Sequence, residues 1–218
     1  MLPILHRVRD RLRAIMNGQQ RQPVRRVASA RLPTEFGAFD IHVFESRGAA
    51  ETHVALVRGQ LGDGSDVLAR VHSSCVTGDI FHSARCDCGP QLHEALGRIA
   101  DEGRGVLIYL NQEGRGIGLA NKIRAYKLQD EGADTVEANE RLGFAADLRD
   151  YRAALEMLRD LGVRSVRLMS NNPKKLEGLA GDGLAVNERL PIEIAATAAT
   201  QHYLRTKKHK LGHILTSV

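Results

Sequence analysis

The pattern of hydrophobic and polar residues changes once along the chain. After residue 26, four short runs of alternating or β-branched residues are separated by turns that contain Gly, Pro and Asp, which is the pattern of β-strands. These runs are RRVASARLPT, FGAFDIHVFES, THVALVRGQ and DVLARVHSS. The first third of the chain is therefore predicted to be mostly β-structure.

From Pro90 onwards the hydrophobic period becomes helical. Leu92, Leu96 and Ile99 fall on one helix face, and Gly103 would end that helix. Strand-like and helix-like segments then alternate: GVLIYL and VRSVRLMS as strands; GLANKIRAYKLQDEG, TVEANERLG, DYRAALEMLRDLG, NNPKKLEGLAGDG and TQHYLRTKKHKLGHIL as helices. We predict an α/β fold, a mixed sheet with flanking helices and a β-rich N-terminal part.

The first 26 residues differ from the rest of the chain in charge. The formal net charge is +5, yet residues 1–26 alone carry seven Arg and one Asp, and the remaining 192 residues are close to neutral. Apolar residues from Leu5 to Ile15 would share one helix face. We predict a basic helical extension and linker over 1–26, and favour docking on a neighbouring subunit over an organelle presequence or a membrane-surface helix.

Composition excludes several classes of function for the rest of the chain. A nearly neutral body with 4% aromatic residues and no Trp argues against nucleic-acid binding. No apolar run is long enough to cross a membrane. With no secretory signal and too few cysteines for a disulfide framework, we expect a cytoplasmic protein.

All three cysteines lie in one short stretch. Cys75, Cys86 and Cys88 form the pattern C-x10-C-x-C. Soft thiolates at this density in a reducing compartment favour zinc. The chain lacks the H-x-E and P-C-x-x-C strings of the zinc deaminases that act on nucleobases.

Spacing alone leaves the fourth zinc ligand open. His72, His82 or His93 would close a structural Cys3His site, whereas water would leave a catalytic one. The glycine-rich string QEGRGIGL lies between a predicted strand and a predicted helix, where backbone N–H groups can hold a phosphate. The same glycines could also serve only a tight turn.

Several long strings, taken in order, carry a resemblance to a known family. RVHSSCVTGD, SARCDCG, LIYLNQEGRGIGLANKIRAYKLQDEGADTVEAN, LGFAADLRDY and SNNPKKLEGL are similar to GTP cyclohydrolase II, the enzyme that opens the riboflavin pathway. The similarity runs from about Val27 to the TKKHKLGHIL tail. It implies one catalytic domain over 27–218 and a homodimer.

The resemblance also implies a reaction. Cys75, Cys86 and Cys88 would bind one Zn²⁺ whose fourth position is water, and this water would attack C8 of guanine. GTP would release formate and diphosphate and leave 2,5-diamino-6-hydroxy-4-(5-phosphoribosylamino)pyrimidine. Mg²⁺ would accompany the triphosphate.

Three residues take catalytic roles by the same resemblance. In AADLRDY, Arg149 would be the nucleophile at the α-phosphorus and Asp147 the base that acts on it. The alternative is that Arg149 only clamps phosphate and Asp147 pairs with it, because arginine is normally locked in its protonated form. Tyr126 would stand near the ring-opening centre, and its alternative is a core residue with a solvated hydroxyl.

Substrate binding would fall to twelve further residues. A carboxylate and an amide suit the Watson–Crick edge of guanine, and a lysine in the first turn of a helix suits phosphate. The twelve are Arg70, Val71, His72, Ser73, Ser74, Gln91, Glu113, Gly114, Arg115, Thr135, Ser170 and Lys175.

Two positions depart from the family pattern. Ser74 stands where the family usually has glutamate, and His82 stands where a small residue is commoner. They keep two alternatives open: a paralogue with an altered product, such as a formylated intermediate or a product for another pathway, and a non-catalytic subunit that binds zinc and nucleotide.

Overall fold

The computed structural model describes residues 24–46, 51–180, 183–216 and 218. The predicted N-terminal helix from Leu5 to Ile15 lies outside these residues. The first described element begins at Val24. The division into an extension and a catalytic domain stays a prediction.

The described residues form one mixed sheet of seven strands. In chain order these are β1 (Val24–Thr34), β2 (Gly37–Ser46), β3 (Thr52–Arg58), β4 (Val67–Ser73), β5 (Gly105–Leu110), β6 (Ser165–Met169) and β7 (Ala185–Leu190). Their order in the sheet is β1-β2-β3-β5-β4-β6-β7. The pairs β1–β2, β2–β3 and β3–β5 are antiparallel, whereas β4–β5, β4–β6 and β6–β7 are parallel.

Helices connect the strands and cover the sheet. They are α1 (Val76–Asp79), α2 (Cys88–Glu102), α3 (Gly118–Asp130), α4 (Thr135–Arg141), α5 (Arg152–Asp160), α6 (Pro173–Ala180) and α7 (Gln201–Leu211), and a 3-10 turn spans Glu113–Gly116. Gly103 ends α2 in the left-handed conformation, as its position predicts. Asn172 accepts a hydrogen bond from the Lys174 amide at 3.0 Å and thereby caps α6.

Strand β4 lies in the middle of the sheet and is buried on both faces. On one face Val71 packs in a hydrophobic cluster with Leu158 of α5. On the other face Leu68 packs with Ile99 of α2. Because side chains alternate along a strand, Arg70 shares the face of Leu68 and points towards α2.

Three parallel strands end at the same edge of the sheet. Cys75 follows β4, Glu113 follows β5 and Ser170 follows β6. In open α/β sheets, ligands bind outside the carboxyl ends of the strands. This edge is therefore the expected position of a functional site.

The predicted fold class is confirmed, because a mixed sheet with flanking helices follows a β-rich start. Strand β7 and the four-residue helix α1 were not predicted. Among the described residues, no helix is both long enough and apolar enough to cross a membrane.

Candidate active site

A cleft opens at the carboxyl ends of β4, β5 and β6. Helices α2, α3 and α7 complete its walls. Most of the predicted site residues line it: Arg70, His72, Ser73, Ser74, Cys75, Cys86, Cys88, Gln91, Glu113, Gly114, Arg115, Tyr126, Thr135, Arg149, Ser170 and Lys175. Val71 and Asp147 do not line the cleft, but each bonds a residue that does.

The three cysteines form one cluster in this cleft. The Sγ atoms of Cys75, Cys86 and Cys88 lie within 4.8 Å of one another, and no histidine or carboxylate of the described residues joins them. A Cβ atom added to Gly78 would lie 2.9 Å from Cys86 Sγ. Three soft donors that converge beside a glycine fit a zinc ion.

A buried lysine stabilises this cluster. Lys122 Nζ lies 3.0 Å from Cys75 Sγ and 2.7 Å from Glu113 Oε1. Hydrogen bonds from Cys86, Cys88 and Lys122 lower the pKa of Cys75, so this thiol is the first of the three to ionise. The hydrogen bond to Cys75 raises the pKa of Cys86 to about 11.

The histidines that the sequence offers as a fourth ligand lie elsewhere. His72 Nε2 is 3.1 Å from Asp79 Oδ1, and burial lowers the pKa of this imidazole. His82 and His93 are exposed, with ring centroids 6.2 Å apart. His72, His82 and His93 are therefore not members of the described thiol cluster.

The glycine-rich string forms the 3-10 turn after β5. Gly114 and Arg115 both adopt left-handed backbone angles, with φ of 62° and 61°. Glu113 fixes this turn to the thiol loop, which we define as residues 75–88. Its carboxylate accepts from the Val76 amide at 2.6 Å and from the Gly114 amide at 2.8 Å. Glu113 thus joins the turn to α1 and to Lys122.

A buried chain of polar contacts runs behind the cysteines. Arg70 donates to the Met169 carbonyl at 2.8 Å and to Gln91 Oε1 at 2.7 Å. Gln91 donates to Asp87 Oδ2 at 2.6 Å, and Lys207 Nζ lies 2.9 Å from Asp87 Oδ1. Burial lowers the pKa of Arg70 to about 10. This chain ties Arg70 and Gln91 to the residue between Cys86 and Cys88.

Arg149 and Asp147 form a bidentate ion pair. The Nε–Oδ1 distance is 2.9 Å and the Nη2–Oδ2 distance is 2.7 Å. Burial opposes ionisation, but the hydrogen bonds to Asp147 raise the pKa of Arg149. The free protein therefore holds this guanidinium in its protonated form.

Three other cations of the cleft, Lys175, Arg115 and Arg70, have no carboxylate partner among the described residues. Lys175 is buried, its Nζ donates to the Val71 carbonyl at 2.7 Å, and burial lowers its pKa well below the usual value. Arg115 Nη1 is buried without a hydrogen-bond partner. Arg70 bonds only neutral groups. This excess of positive charge is complementary to a polyanion.

Hydroxyl groups complete the predicted set. Tyr126 Oη lies 3.1 Å from Thr77 Oγ1, which lies 3.7 Å from Cys75 Sγ. Ser74 Oγ accepts from the Gln112 amide at 3.1 Å and so fixes the loop after β5. Ser170 Oγ accepts from the Asn172 amide at 3.1 Å.

The cleft also contains residues that the sequence did not single out. They are Arg85, Gln112, Ile117, Lys122, Ala125, Gln129, Asn139, Asn171, Asn172, Tyr203, Lys207 and His213. Asn171 and Asn172 lie in the string SNNPKKLEGL, and Lys207 and His213 lie in the TKKHKLGHIL tail, so both pairs belong to the resemblance. Lys122 also lies in a string of the resemblance, but its contact with Cys75 depends on the tertiary fold.

Comparisons with known proteins show the family of this chain. A family model described as GTP cyclohydrolase II matches residues 25–191. The chain is 59% identical over 191 residues to "GTP cyclohydrolase-2" of Hahella chejuensis, covering 88% of this chain and 92% of that protein.

Two further matches are longer proteins. The chain is 56% identical over 192 residues to "Riboflavin biosynthesis protein RibBA" of Bacillus cereus, covering 88% of this chain and 48% of that protein, so it spans about half of the relative. Among solved structures, RibBX from A. baumannii, described as a two domain 3,4-dihydroxy-2-butanone 4-phosphate synthase, matches with a TM-score of 0.45 and 22% identity, over 83% of this chain and 48% of that one.

Proposed function

Because the chain belongs to the GTP cyclohydrolase II family, a family of hydrolases, we propose that it opens the imidazole ring of GTP. The reaction would release formate and diphosphate and leave 2,5-diamino-6-hydroxy-4-(5-phosphoribosylamino)pyrimidine. This would be the first step of riboflavin biosynthesis, the process for which the Bacillus relative is named.

One observation carries this proposal. A single cleft combines three converging thiols with three cations, Arg70, Arg115 and Lys175, that have no carboxylate partner among the described residues. Thiols suit a metal that works on the purine, and unpaired cations suit a triphosphate. A reaction at the purine of a nucleoside triphosphate would use both.

The proposed metal is zinc, held by Cys75, Cys86 and Cys88. When bound, zinc supplies a water of lowered pKa for attack at C8 of guanine. Lys122 would hold Cys75 as a thiolate by its ammonium group. Tyr126 would donate a hydrogen bond at the opening ring, and its link through Thr77 to Cys75 supports that position.

For the triphosphate we propose that Arg115, Lys175 and Arg149 bind phosphate oxygens, with Mg²⁺ on the same oxygens. The resemblance assigns Arg149 as nucleophile, but its pair with Asp147 raises the guanidinium pKa and favours the clamping role. Asp147 would then orient Arg149. We propose that the other residues predicted from the sequence to bind the substrate also do so.

The same proposal includes a homodimer in the cytoplasm and a catalytic domain over 27–218. Exposed apolar side chains support the dimer: Ile80 and Phe81 of the thiol loop are 61% and 72% exposed. Ile80 also borders a shallow surface pocket together with Leu119 and Leu148. Such a patch is typical of a surface that a partner covers.

The direct test is product analysis by mass spectrometry after incubation with GTP and Mg²⁺. We expect formate, diphosphate and the deformylated pyrimidine, with a chelator of zinc stopping formate release. A retained formyl group would indicate the paralogue with an altered product. A zinc-loaded protein that leaves GTP unchanged would contradict the proposed function.

Two variants separate the two hydrolyses. Cys86→Ser should abolish formate release because it removes a metal ligand. Arg149→Ala should stop diphosphate release, whereas Arg152→Ala, an exposed arginine paired with Asp150 outside the cleft, should not. Unchanged diphosphate release by Arg149→Ala would contradict the role given to Arg149.

A further inference from the structure

The C-terminal segment contributes to the cleft although the matched family model ends before it. The family model ends at residue 191, yet Tyr203, Lys207 and His213 line the cleft. Lys207 is engaged with Asp87 and stacks over the Tyr203 ring at 5.0 Å. The His213 Nδ1 atom, in contrast, has no hydrogen-bond partner among the described residues.

The backbone on both sides of His213 is fixed. Gly212 ends α7 in the left-handed conformation, with φ of 66°, and turns the chain towards the cleft. The His213 amide donates to the Lys207 carbonyl at 3.0 Å, and the Ile214 amide donates to the Asn171 carbonyl at 2.8 Å. These bonds anchor the imidazole to α7 and to the loop after β6.

The imidazole itself is poorly satisfied. His213 Nδ1 is buried and has no hydrogen-bond partner among the described residues. Leaving a buried polar atom unpaired is unfavourable, because the atom has lost its hydrogen bonds to water and gained none in return. Natural structures keep such an atom where a ligand or water completes it.

Four cations from separate parts of the chain act on this imidazole. Burial and the positive charges of Lys207, Arg149, Arg115 and Lys175 lower the pKa of His213 to about 3. The imidazole is therefore neutral near pH 7 in the free protein.

Only two of these four cations are offset by acids. Lys207 pairs with Asp87 and Arg149 pairs with Asp147, whereas Arg115 and Lys175 have no carboxylate partner in the part of the chain that the structure describes. A bound polyanion neutralises these two cations and removes part of the repulsion that, in addition to burial, keeps a proton off the ring.

We propose that His213 is a further substrate-binding residue, whose imidazole takes up a proton when the triphosphate binds and donates a hydrogen bond to a phosphate oxygen. The inference rests on the proposed function insofar as the triphosphate is that of GTP. Binding should accordingly weaken as the pH rises above the pKa of the bound imidazole, because the proton is then lost.

The test measures proton uptake on binding of inorganic triphosphate with Mg²⁺. Calorimetry near pH 7 in two buffers of different protonation enthalpy compares the full chain with His213→Gln and with His209→Gln, an exposed histidine of α7. We expect His213→Gln to take up about one proton less per ligand and to bind about tenfold more weakly. His209→Gln should match the original chain.

Equal proton uptake in the original chain and in folded His213→Gln would overturn the inference. Should His213→Gln fail to fold, ring ¹⁵N spectra of the original chain decide. The His213 signals should move from neutral to protonated positions when triphosphate is added, and unchanged signals would overturn the inference.

The two proposals can fail separately. If GTP is not hydrolysed but inorganic triphosphate still protonates His213, only the proposed function fails. If GTP is hydrolysed and His213 does not take up a proton, only this inference fails.

Discussion

Lys122 is the residue on which the charge of the thiol cluster depends. Three thiolates around the proposed zinc ion would carry a net negative charge in a buried place, and the Lys122 ammonium, 3.0 Å from Cys75 Sγ, would offset it. The same ammonium lies 2.7 Å from Glu113, so its loss would also leave a buried carboxylate uncompensated.

We therefore expect Lys122→Met, which keeps the length of the side chain but removes its charge, to weaken zinc binding. Loss of a partner next to a metal ligand typically costs about 10–100-fold in metal affinity. Competition with a chromogenic chelator measures the effect. Lys127→Met is the control, because Lys127 is an exposed lysine of the same helix. If both variants release half of their zinc at the same chelator concentration, this role of Lys122 is contradicted.

Gly78 leaves room for the three sulfurs. A Cβ atom there would lie 2.9 Å from Cys86 Sγ and 3.1 Å from Cys75 Sγ, closer than packed atoms come. We expect Gly78→Ala to lower the free energy of unfolding of the metal-free protein by about 1–3 kcal/mol, the usual cost of overpacking.

Gly97→Ala provides the matched control for Gly78→Ala. Gly97 lies inside α2 with nothing within 4 Å of an added Cβ, so alanine there should stabilise the protein by up to about 1 kcal/mol. Urea unfolding of both variants measures the difference. If Gly78→Ala and Gly97→Ala change the free energy of unfolding equally, the thiols do not need the space beside Gly78.

At the residue scale, the sequence predicted the thiol cluster because its members lie close together along the chain. Most of the other predicted site residues came from the family resemblance. Lys122 and His213 could not be predicted, because Lys122 reaches Cys75 across 47 residues and His213 reaches the cleft only through the fold of the C-terminal segment. No local sequence pattern predicts a contact between residues so far apart in the chain.

Helix α7 is the element that holds the thiol loop in place. Lys207 of α7 lies 2.9 Å from Asp87, which stands between Cys86 and Cys88 and is 3% exposed. Breaking a buried pair by removing one partner costs more than removing both, because a single partner is left as an unpaired buried charge.

We expect Lys207→Met alone to destabilise the protein by about 3–5 kcal/mol, and the double variant Lys207→Met with Asp87→Asn to recover a large part of that loss. Chemical unfolding of the single and double variants measures the coupling. Arg205→Met, at an exposed position of the same helix, should change stability little. Strictly additive effects would mean that the pair contributes no coupling.

At the element scale, predictability followed the strength of the hydrophobic pattern. Strands β1 to β6 and helices α2 to α7 have clear periods or end signals, and the structure contains them. Strand β7 has the sequence AVNERL and lies at the edge of the sheet, where none of its residues is fully buried, so it has no alternating pattern. Helix α1 has four residues, too few for a period to be recognised.

At the scale of the whole molecule, the surface of the described residues carries an apolar patch beside the cleft. Ile80, Leu119 and Leu148 border one surface pocket, and the exposed Phe81 follows Ile80 in the chain. If a second copy covers this patch, Phe81→Glu should convert a dimer into a monomer, because a charge would be buried without a partner.

Light scattering after size-exclusion chromatography measures the mass of the particle. Val27→Glu is the control, since Val27 is an exposed apolar residue of the edge strand β1. We expect the original chain and Val27→Glu to show twice the mass of one chain. A dimeric Phe81→Glu variant would contradict an interface at this patch.

The strand order also determines when the cleft can form during synthesis. The pairs β1–β2 and β2–β3 join strands that are neighbours in the chain, but β3 pairs with β5, and β4 pairs with β6, with Val67 opposite Val166. Asp87 pairs with Lys207, which follows it by 120 residues in the chain. A nascent chain therefore presents its three thiols to the cell while the residues that will enclose them are still untranslated, and oxidants or the wrong metal ions have access to these thiols in that interval.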